Sequence, residues 1–189
     1  LRVLIAYERS GIVRDAFATK GHDAWSCDLF DTDRPGKHIQ GDAMVAILSD
    51  RWDFIGLHTP CTAVCVSGNK TYASGKEKYS ERLKAIKYIQ LVWKGAVDFC
   101  NKVYLENPVG VLTTMAHLPK PQYIQPWQFG HGEKKKTGLW LHGLSQLKPT
   151  NIVNGREERI FKMPPTPKRS KLRSETYQGI ANAMAEQWG

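Results

Sequence analysis

Two residues stand where chemistry is to be expected: Cys61, in the run Thr59-Pro60-Cys61, and Glu106, in Glu106-Asn107-Pro108. A cysteine exposed at the end of a buried strand, with Ser67-Gly68 as a flexible loop behind it, is placed as a nucleophile is. A carboxyl group leaving the end of the next strand emerges on the same edge of a parallel sheet. The pair suits a ring that needs attack at one atom and protonation at another. Taken singly, each has a plainer reading: a structural thiol, and a turn stopped by proline.

Such placement requires an α/β scaffold, and the sequence supplies the signs of one. Residues 2–6 (RVLIA) form an apolar run without alternation, followed by a Ser10-Gly11 turn, a helical pattern over 12–20 closed by Gly21, and a second strand over 23–27 (DAWSC). This βαβ spacing predicts a doubly wound, mostly parallel sheet, with ligands at the carboxyl ends of its strands. Residues 53–58 (DFIGLH) and 102–105 (KVYL) read as further strands. Between them Leu83, Ile86, Ile89, Val92, Val97 and Cys100 fall at helical spacing over 77–100. Residues 137–141 (TGLWL) read as a later strand. Proline and basic residues crowd 147–173, and 174–188 reads as a terminal helix with Ser174 as N-cap. Asp28 lies 17 positions after Gly11, close to the offset at which doubly wound nucleotide folds place an acid for ribose hydroxyls.

With 189 residues, 41% hydrophobic and 24% charged, the chain reads as one packed domain; a disordered or collagen-like chain is excluded. The net charge of +9 is uneven: residues 1–65 hold seven basic and nine acidic side chains, and the remainder twenty and nine. An acidic first part suits a cationic small molecule, and a basic second part suits a polyanion such as nucleic acid. No apolar run is long enough to span a membrane. Glu8, Arg9, Arg14 and Asp15 stand where a signal peptide needs its apolar core, so a soluble, cytoplasmic protein is expected. Cys27, Cys61, Cys65 and Cys100 fit neither a disulfide framework nor a zinc site, so free thiols and no metal are expected. The sequence leaves the oligomeric state open, a monomer included.

In their order these motifs resemble the DNA cytosine-5 methyltransferases. The family's Pro-Cys-Gln and following Ser-x-x-Gly are matched by PCTAVCVSG, and its Glu-Asn-Val by Glu106-Asn107-Pro108. The family's strand-linked Phe-x-Gly-x-Gly loop is matched loosely by Tyr7-Glu8-Arg9-Ser10-Gly11, its acid after the second strand by Asp28, and its later Gly-Asp by Gly41-Asp42. FGHGEKKKTGLWL resembles the family's Tyr-Gly-x-Pro-Gln-x-Arg-x-Arg strand, and YQGIANAM its terminal Gly-Asn motif. The wording is most similar to small members of bacteriophage origin.

The resemblance implies a Rossmann-like fold and S-adenosylmethionine as cofactor. Tyr7, Glu8, Arg9, Ser10, Gly11, Asp28, Leu29, Asp42, Ala43 and Pro60 would bind the cofactor, with Asp42 accepting from the adenine amine. It further implies DNA as partner, with a cytosine flipped into the site and Thr62, Ser67, Gly68, Asn69, Lys70, Lys135 and Thr137 contacting nucleic acid. Lys76, Lys78, Arg82, Lys84 and Lys87, with Tyr72 and Tyr79 interleaved, together with Lys134, Lys136 and the tail residues Lys168, Arg169, Lys171 and Arg173, are further candidates for DNA contact. Cys61 would add to C6, Glu106 would protonate N3, and the base for the C5 proton is unassigned. Family members insert a recognition domain where this chain has only residues 144–173, which implies low or short sequence specificity. Thr62 replaces the family's Gln, Cys65 its Ser, and Lys135 and Thr137 its two Arg. RNA, a modified cytosine or a free cytidine nucleotide as acceptor, and a degenerate DNA-binding protein, remain as alternatives.

Overall fold

Strand β1 (Arg2–Ala6) occupies the middle of the sheet because its last four residues are apolar and fully buried. The computed structural model describes residues 1–166 and 169–189; Lys168, one of the expected phosphate contacts, lies outside them. After β1 come α1 (Ile12–Thr19), β2 (Asp23–Asp28), β3 (His38–Gln40), α2 (Ala43–Leu48) and β4 (Phe54–Leu57). Then follow α3 (Asn69–Tyr72), α4 (Tyr79–Phe99), β5 (Val103–Pro108), α5 (Leu112–Met115), β6 (Gln122–Ile124) and β7 (Thr137–His142). The chain ends with α6 (Arg159–Lys162), α7 (Arg169–Ser174) and α8 (Gln178–Trp188).

The seven strands are ordered β3-β2-β1-β4-β5-β7-β6, parallel from β3 to β5, with β7 antiparallel to both β5 and β6. This is a Rossmann-like sheet, as the sequence predicts. One face packs under α2 and α4, where Ile47, Ile86, Ile89, Val92 and Trp93 meet Leu4, Ile55 and Leu105. The other packs under α1 and α8, where Phe17, Met184 and Trp188 meet Val3, Ile5 and Phe54. Burial of both faces accounts for strands that read as continuous apolar runs.

Register turns this packing into a site. Cys27, Ala6, Leu57 and Leu105 lie side by side across β2, β1, β4 and β5. The next residue on each strand, Asp28, Tyr7, His58 and Glu106, therefore stands along one carboxyl edge. The reversed β7 pairs Thr137 with Pro108, which carries the segment before it to that same edge.

Two local expectations are corrected. The terminal helix does not run from residue 174: Ser174 closes α7, its hydroxyl donating to the Lys171 carbonyl, and α8 starts at Gln178 with Tyr177 as its cap. The Ser67-Gly68 segment is not an open loop. Residues Val66–Gly68 form a 3-10 turn leading directly into α3, and Gly68 lies so close to Thr62 that a Cβ would sit 2.3 Å from its carbonyl oxygen.

Candidate active site

A cleft of about 480 Å³ opens at this carboxyl edge, lined by Tyr7, Glu8, Arg9, Ser10, Asp28, His58, Pro60, Cys61, Thr62, Glu106 and Lys135. Cys61 and Glu106, 45 residues apart in sequence, meet here because their two loops are clamped together. Cys65 and Gly110 form an antiparallel bridge, flanked by Val66 N–H to Val109 O at 3.0 Å and Val111 N–H to Val64 O at 2.9 Å. Only glycine fits at 110, since a Cβ there would lie 2.0 Å from the Val64 carbonyl oxygen. Asn107, fully buried, donates to both Thr59 oxygens at 3.0 and 3.2 Å, tying the Glu106 strand to the turn that carries Cys61. From the far side Arg82 of α4, expected to contact DNA, is instead buried and donates to the Ala63 carbonyl at 2.6 Å and to Asn69 at 2.9 Å.

The electrostatics shift Glu106 toward holding its proton more tightly than an ordinary carboxyl group. Burial raises the pKa of its carboxyl group, and the nearby Lys135 ammonium opposes this only in part. Burial lowers Lys135 in turn, weakening that opposition. His58 lies 3.8 Å from the Glu106 carboxylate, and its imidazole is held neutral by burial, its pKa pushed down to about 3. It therefore adds no charge that would ionise Glu106. His58 Nε2 is bonded at 2.7 Å to the hydroxyl of Tyr104, a fully buried ring that fits only because residue 56 is glycine; a Cβ there would meet the ring at 2.5 Å. Neither His58 nor Tyr104 stands out in the sequence as more than a strand residue. The available signal is Gly56, a glycine in an otherwise bulky buried strand.

The thiols form a second group. Cys65 Sγ lies 3.1 Å from the Ser67 hydroxyl and 3.7 Å from the Thr62 carbonyl oxygen. The interaction with Cys65, together with burial, raises the Cys61 thiol, whereas the interaction with Cys61 lowers Cys65 to about 5 against the effect of burial. All four cysteines are free.

At the β1 end, Glu8 is buried and closes the start of α1. Its carboxylate accepts the N–H groups of Val13 at 2.7 Å and Arg14 at 3.2 Å, while the Ser10 hydroxyl accepts that of Ile12 at 3.3 Å. The helix terminus that holds a pyrophosphate in dinucleotide-binding sheets is thus satisfied from within. Gly11, at φ +70°, is required by the chain itself: a Cβ would strike the Arg14 guanidinium at 2.4 Å. That guanidinium, almost fully buried, binds Ser26, Thr32 and the carbonyls of Arg34 and Pro35, fixing the β2–β3 loop against α1. Tyr7, at φ 63°, turns its hydroxyl onto that of Tyr88 at 2.8 Å.

The remaining expected residues distribute as follows. Asp28 uses one carboxylate oxygen to accept the Phe30 N–H at 3.0 Å, and Asp42 uses one to cap α2 at Met44 and Val45. Asp28 lines the cleft, whereas Asp42 is not among its lining residues. Leu29 is exposed at the rim, and Ala43 is buried in α2. Ser67, Gly68, Asn69 and Lys70 lie in the 3-10 turn and α3, outside the cleft lining. Thr137 is buried and donates to the Lys135 carbonyl, so it contacts its own chain. Lys135 donates to the Glu175 carbonyl at 2.9 Å, and Lys171 of α7 pairs with Asp33 at 2.8 Å, so the segment from α7 to α8 lies along the cleft. Among the described residues no group of His, Cys, Asp and Glu is disposed to hold a metal, and no helix is long and apolar enough to cross a membrane. A second hollow, of about 540 Å³ between α1 and α8, contains none of these residues.

No family model matches the chain, and no curated protein matches it in sequence. Solved structures do share its fold. One, assigned as a DNA modification methyltransferase encoded within an E. coli prophage, superposes with a TM-score of 0.55 at 11% identity, covering 88% of this chain. Another, the Entamoeba histolytica methyltransferase EhMeth, gives 0.52 at 10% identity over 82%. This chain spans 56% of the length of each.

Proposed function

We propose that the chain is an S-adenosylmethionine-dependent methyltransferase acting on C5 of cytosine in DNA. The observation that carries this reading is the convergence of Cys61 and a protonation-prone Glu106 on one cleft, beside a rim of carboxylates at β2 and β3. The fold it shares with two methyltransferase structures supports the same reading.

The α1 terminus, filled by Glu8, offers nothing to a pyrophosphate, whereas the carboxylate of Asp28 in the cleft, with that of Asp42 outside its lining, suits ribose hydroxyls and an adenine amine. Acidic surroundings also suit a sulfonium cation. S-adenosylmethionine, when bound, supplies a methyl group that a carbon nucleophile can take. The chain's own residues prepare that nucleophile. Cys61 Sγ bonds to C6, and Glu106 gives its proton to N3, so the electron pair of the C5–C6 double bond becomes available at C5. After loss of the C5 proton the C6–S bond breaks, and Glu106 recovers its proton from N3. A base inside a duplex is out of reach of Cys61, so the cytosine enters flipped or from a single strand. Lys70, Lys76, Lys84 and Lys87, which follow the Cys61 loop in the chain, are exposed and would hold phosphates. Among the described residues of 144–173, only Leu147 and Ile160 are buried apolar residues, too little for a separate reading domain, which supports low or short specificity.

The test is transfer of a labelled methyl group to mixed-sequence DNA, followed by base analysis, with trapping on DNA containing 5-fluorocytosine. The wild type should yield 5-methylcytosine and a denaturant-resistant adduct, and Cys61→Ala neither. Methyl transfer persisting in Cys61→Ala would remove the mechanism.

A further inference from the structure

Glu106 does not stand alone on its strand. The register pairs Gly56 of β4 with Tyr104 of β5, and side chains alternate along a strand, so Gly56 and the following His58 share one face of the sheet with Tyr104 and Glu106. Because residue 56 has no side chain, the Tyr104 ring lies against it and its hydroxyl reaches His58 Nε2 at 2.7 Å. The two rings meet edge to face at 5.6 Å and 80°, and the His58 backbone N–H is fixed to the Ala6 carbonyl at 3.0 Å. With Nε2 engaged in this way, Nδ1 is left to face Glu106, 3.8 Å from Oε2.

The direction of the first bond follows from burial. Tyr104 is fully buried, and desolvation, with Glu8 and Glu106 nearby, keeps its hydroxyl protonated. Among the described residues that hydroxyl has no other acceptor within bonding distance, so its proton is given to Nε2. A neutral imidazole carries one N–H, which then stands on Nδ1 toward Glu106.

We propose that His58, locked in this tautomer by Tyr104, is a positioning residue for Glu106, its Nδ1–H bonding Oε2 as the carboxyl group gives its proton to N3 of the pyrimidine. This rests on the assignment of Glu106 as the acid above. The 3.8 Å separation exceeds a hydrogen bond by roughly 1 Å, a step that rotation of the carboxyl group supplies, and such contacts tighten as the reaction proceeds. With Oε2 held by His58, the transferable proton belongs to the other oxygen.

A neutral donor suits this task where a charged one does not. An imidazolium would ionise Glu106 before the base arrived, whereas a neutral N–H binds a carboxylate more strongly than a carboxyl group and so acts chiefly once the proton has left. The other groups facing the pair are Cys61 and Lys135, from the segment before β7. The Lys135 ammonium opposes protonation of His58 and favours the Glu106 carboxylate, so it works in the same direction. The protons balance: one passes from Glu106 to N3 and returns when the C6–S bond breaks, and the imidazole keeps its own throughout.

The experiment reads the ring directly, by long-range proton–nitrogen correlation spectra of protein carrying nitrogen-15 histidine, recorded from pH 5 to pH 8. Of the six histidines, His58 is the one whose signals vanish in His58→Asn. Wild type should show a neutral ring with its proton on Nδ1 at every pH, and Tyr104→Phe, which removes only the hydroxyl, should let the second tautomer appear. A wild-type proton on Nε2, or a ring that becomes charged near the ordinary histidine value of about 6.5, overturns the proposal. In methyl transfer to DNA, His58→Asn, which puts an amide N–H near the place of Nδ1, should lower kcat by less than about 10-fold, and His58→Leu by about 10²-fold, each with KM within about 3-fold of wild type. Equal losses in the two variants overturn the proposal, because both remove the packing of the ring and only one removes the donor. Absence of methyl transfer from wild type overturns the functional reading, and the proposal falls with it; the spectra need no methyl acceptor and separate that result from a wrongly assigned ring.

Discussion

Replacing Gly110 by alanine tests whether the clamp between the two site loops is what brings Cys61 to Glu106. The added Cβ would lie 2.0 Å from the Val64 carbonyl oxygen and 2.7 Å from the Cys65 Cα, both backbone, so no side chain can swing aside. Contacts of this kind are not seen under 3.0 Å, and the loops must therefore part by ~1 Å or more. That movement breaks the bonds from Val66 N–H to Val109 and from Val111 N–H to Val64. At ~1 kcal/mol net for each, the loss is ~2 kcal/mol, which for a chain of this size lowers Tm by about 4–8 °C. The same ~1 Å between nucleophile and acid is expected to cost about 10²-fold in methyl transfer. Thermal denaturation and single-turnover transfer, the latter well below both transitions, measure the two effects separately. Gly41→Ala is the control for stability, because its Cβ meets nothing within 4 Å and its Tm should stay within about 2 °C of wild type. A Gly110→Ala protein with the wild-type Tm would refute the steric argument. A lowered Tm with an unchanged transfer rate would refute the link between clamp and chemistry.

Two further perturbations probe the elements around the site. Burial lifts Glu8 from 4.5 to about 7 against the N–H groups of Val13 and Arg14, so the folded chain binds this proton more tightly than the unfolded one. The resulting stability is fully present below pH 4.5 and is lost as pH rises through 7, a change of about 3 kcal/mol. Urea unfolding at pH 5 and pH 7.5 should show it in wild type and not in Glu8→Gln; parallel pH dependences would contradict it. Arg82→Met removes the bonds to Ala63 and Asn69, should cost about 2 kcal/mol, and should speed tryptic cleavage at Lys70 and Lys76. Unchanged cleavage would mean that Arg82 does not hold the loop.

The parts legible in the sequence were those with length or edge position. The runs at 2–6, 53–58 and 102–105 became β1, β4 and β5, and the apolar spacing over 77–100 became α4, because repeated burial on a fixed period leaves a pattern. Three-residue strands such as β3 and β6 leave none, and α2 was concealed in AMVAIL, where every residue but the cap is apolar. Cys61 and Glu106 were visible because strand ends in a parallel sheet are where chemistry is sought. His58 and Tyr104 were not, since a strand residue and a buried ring acquire meaning only when two strands are set in register. Ser174 misled because a serine before a helical pattern is also a common way to end a preceding helix.

The direction of β7 decides which changes in its neighbourhood reach the cleft. A strand running against its partners presents its incoming segment, not its outgoing one, at their carboxyl edge. Lys135 therefore sits by Glu106, while His142, which pairs with Val103, lies at the far end of the same strand. A spectroscopic label at exposed His142 would report on the unfolding of β5 and β7 from outside the cleft. The same label six residues earlier, at exposed Lys136, would stand next in the chain to Lys135, which lines the cleft. One strand thus offers two reporters, one at the far end of the scaffold and one near the cleft edge, separated by the length of a single extended segment.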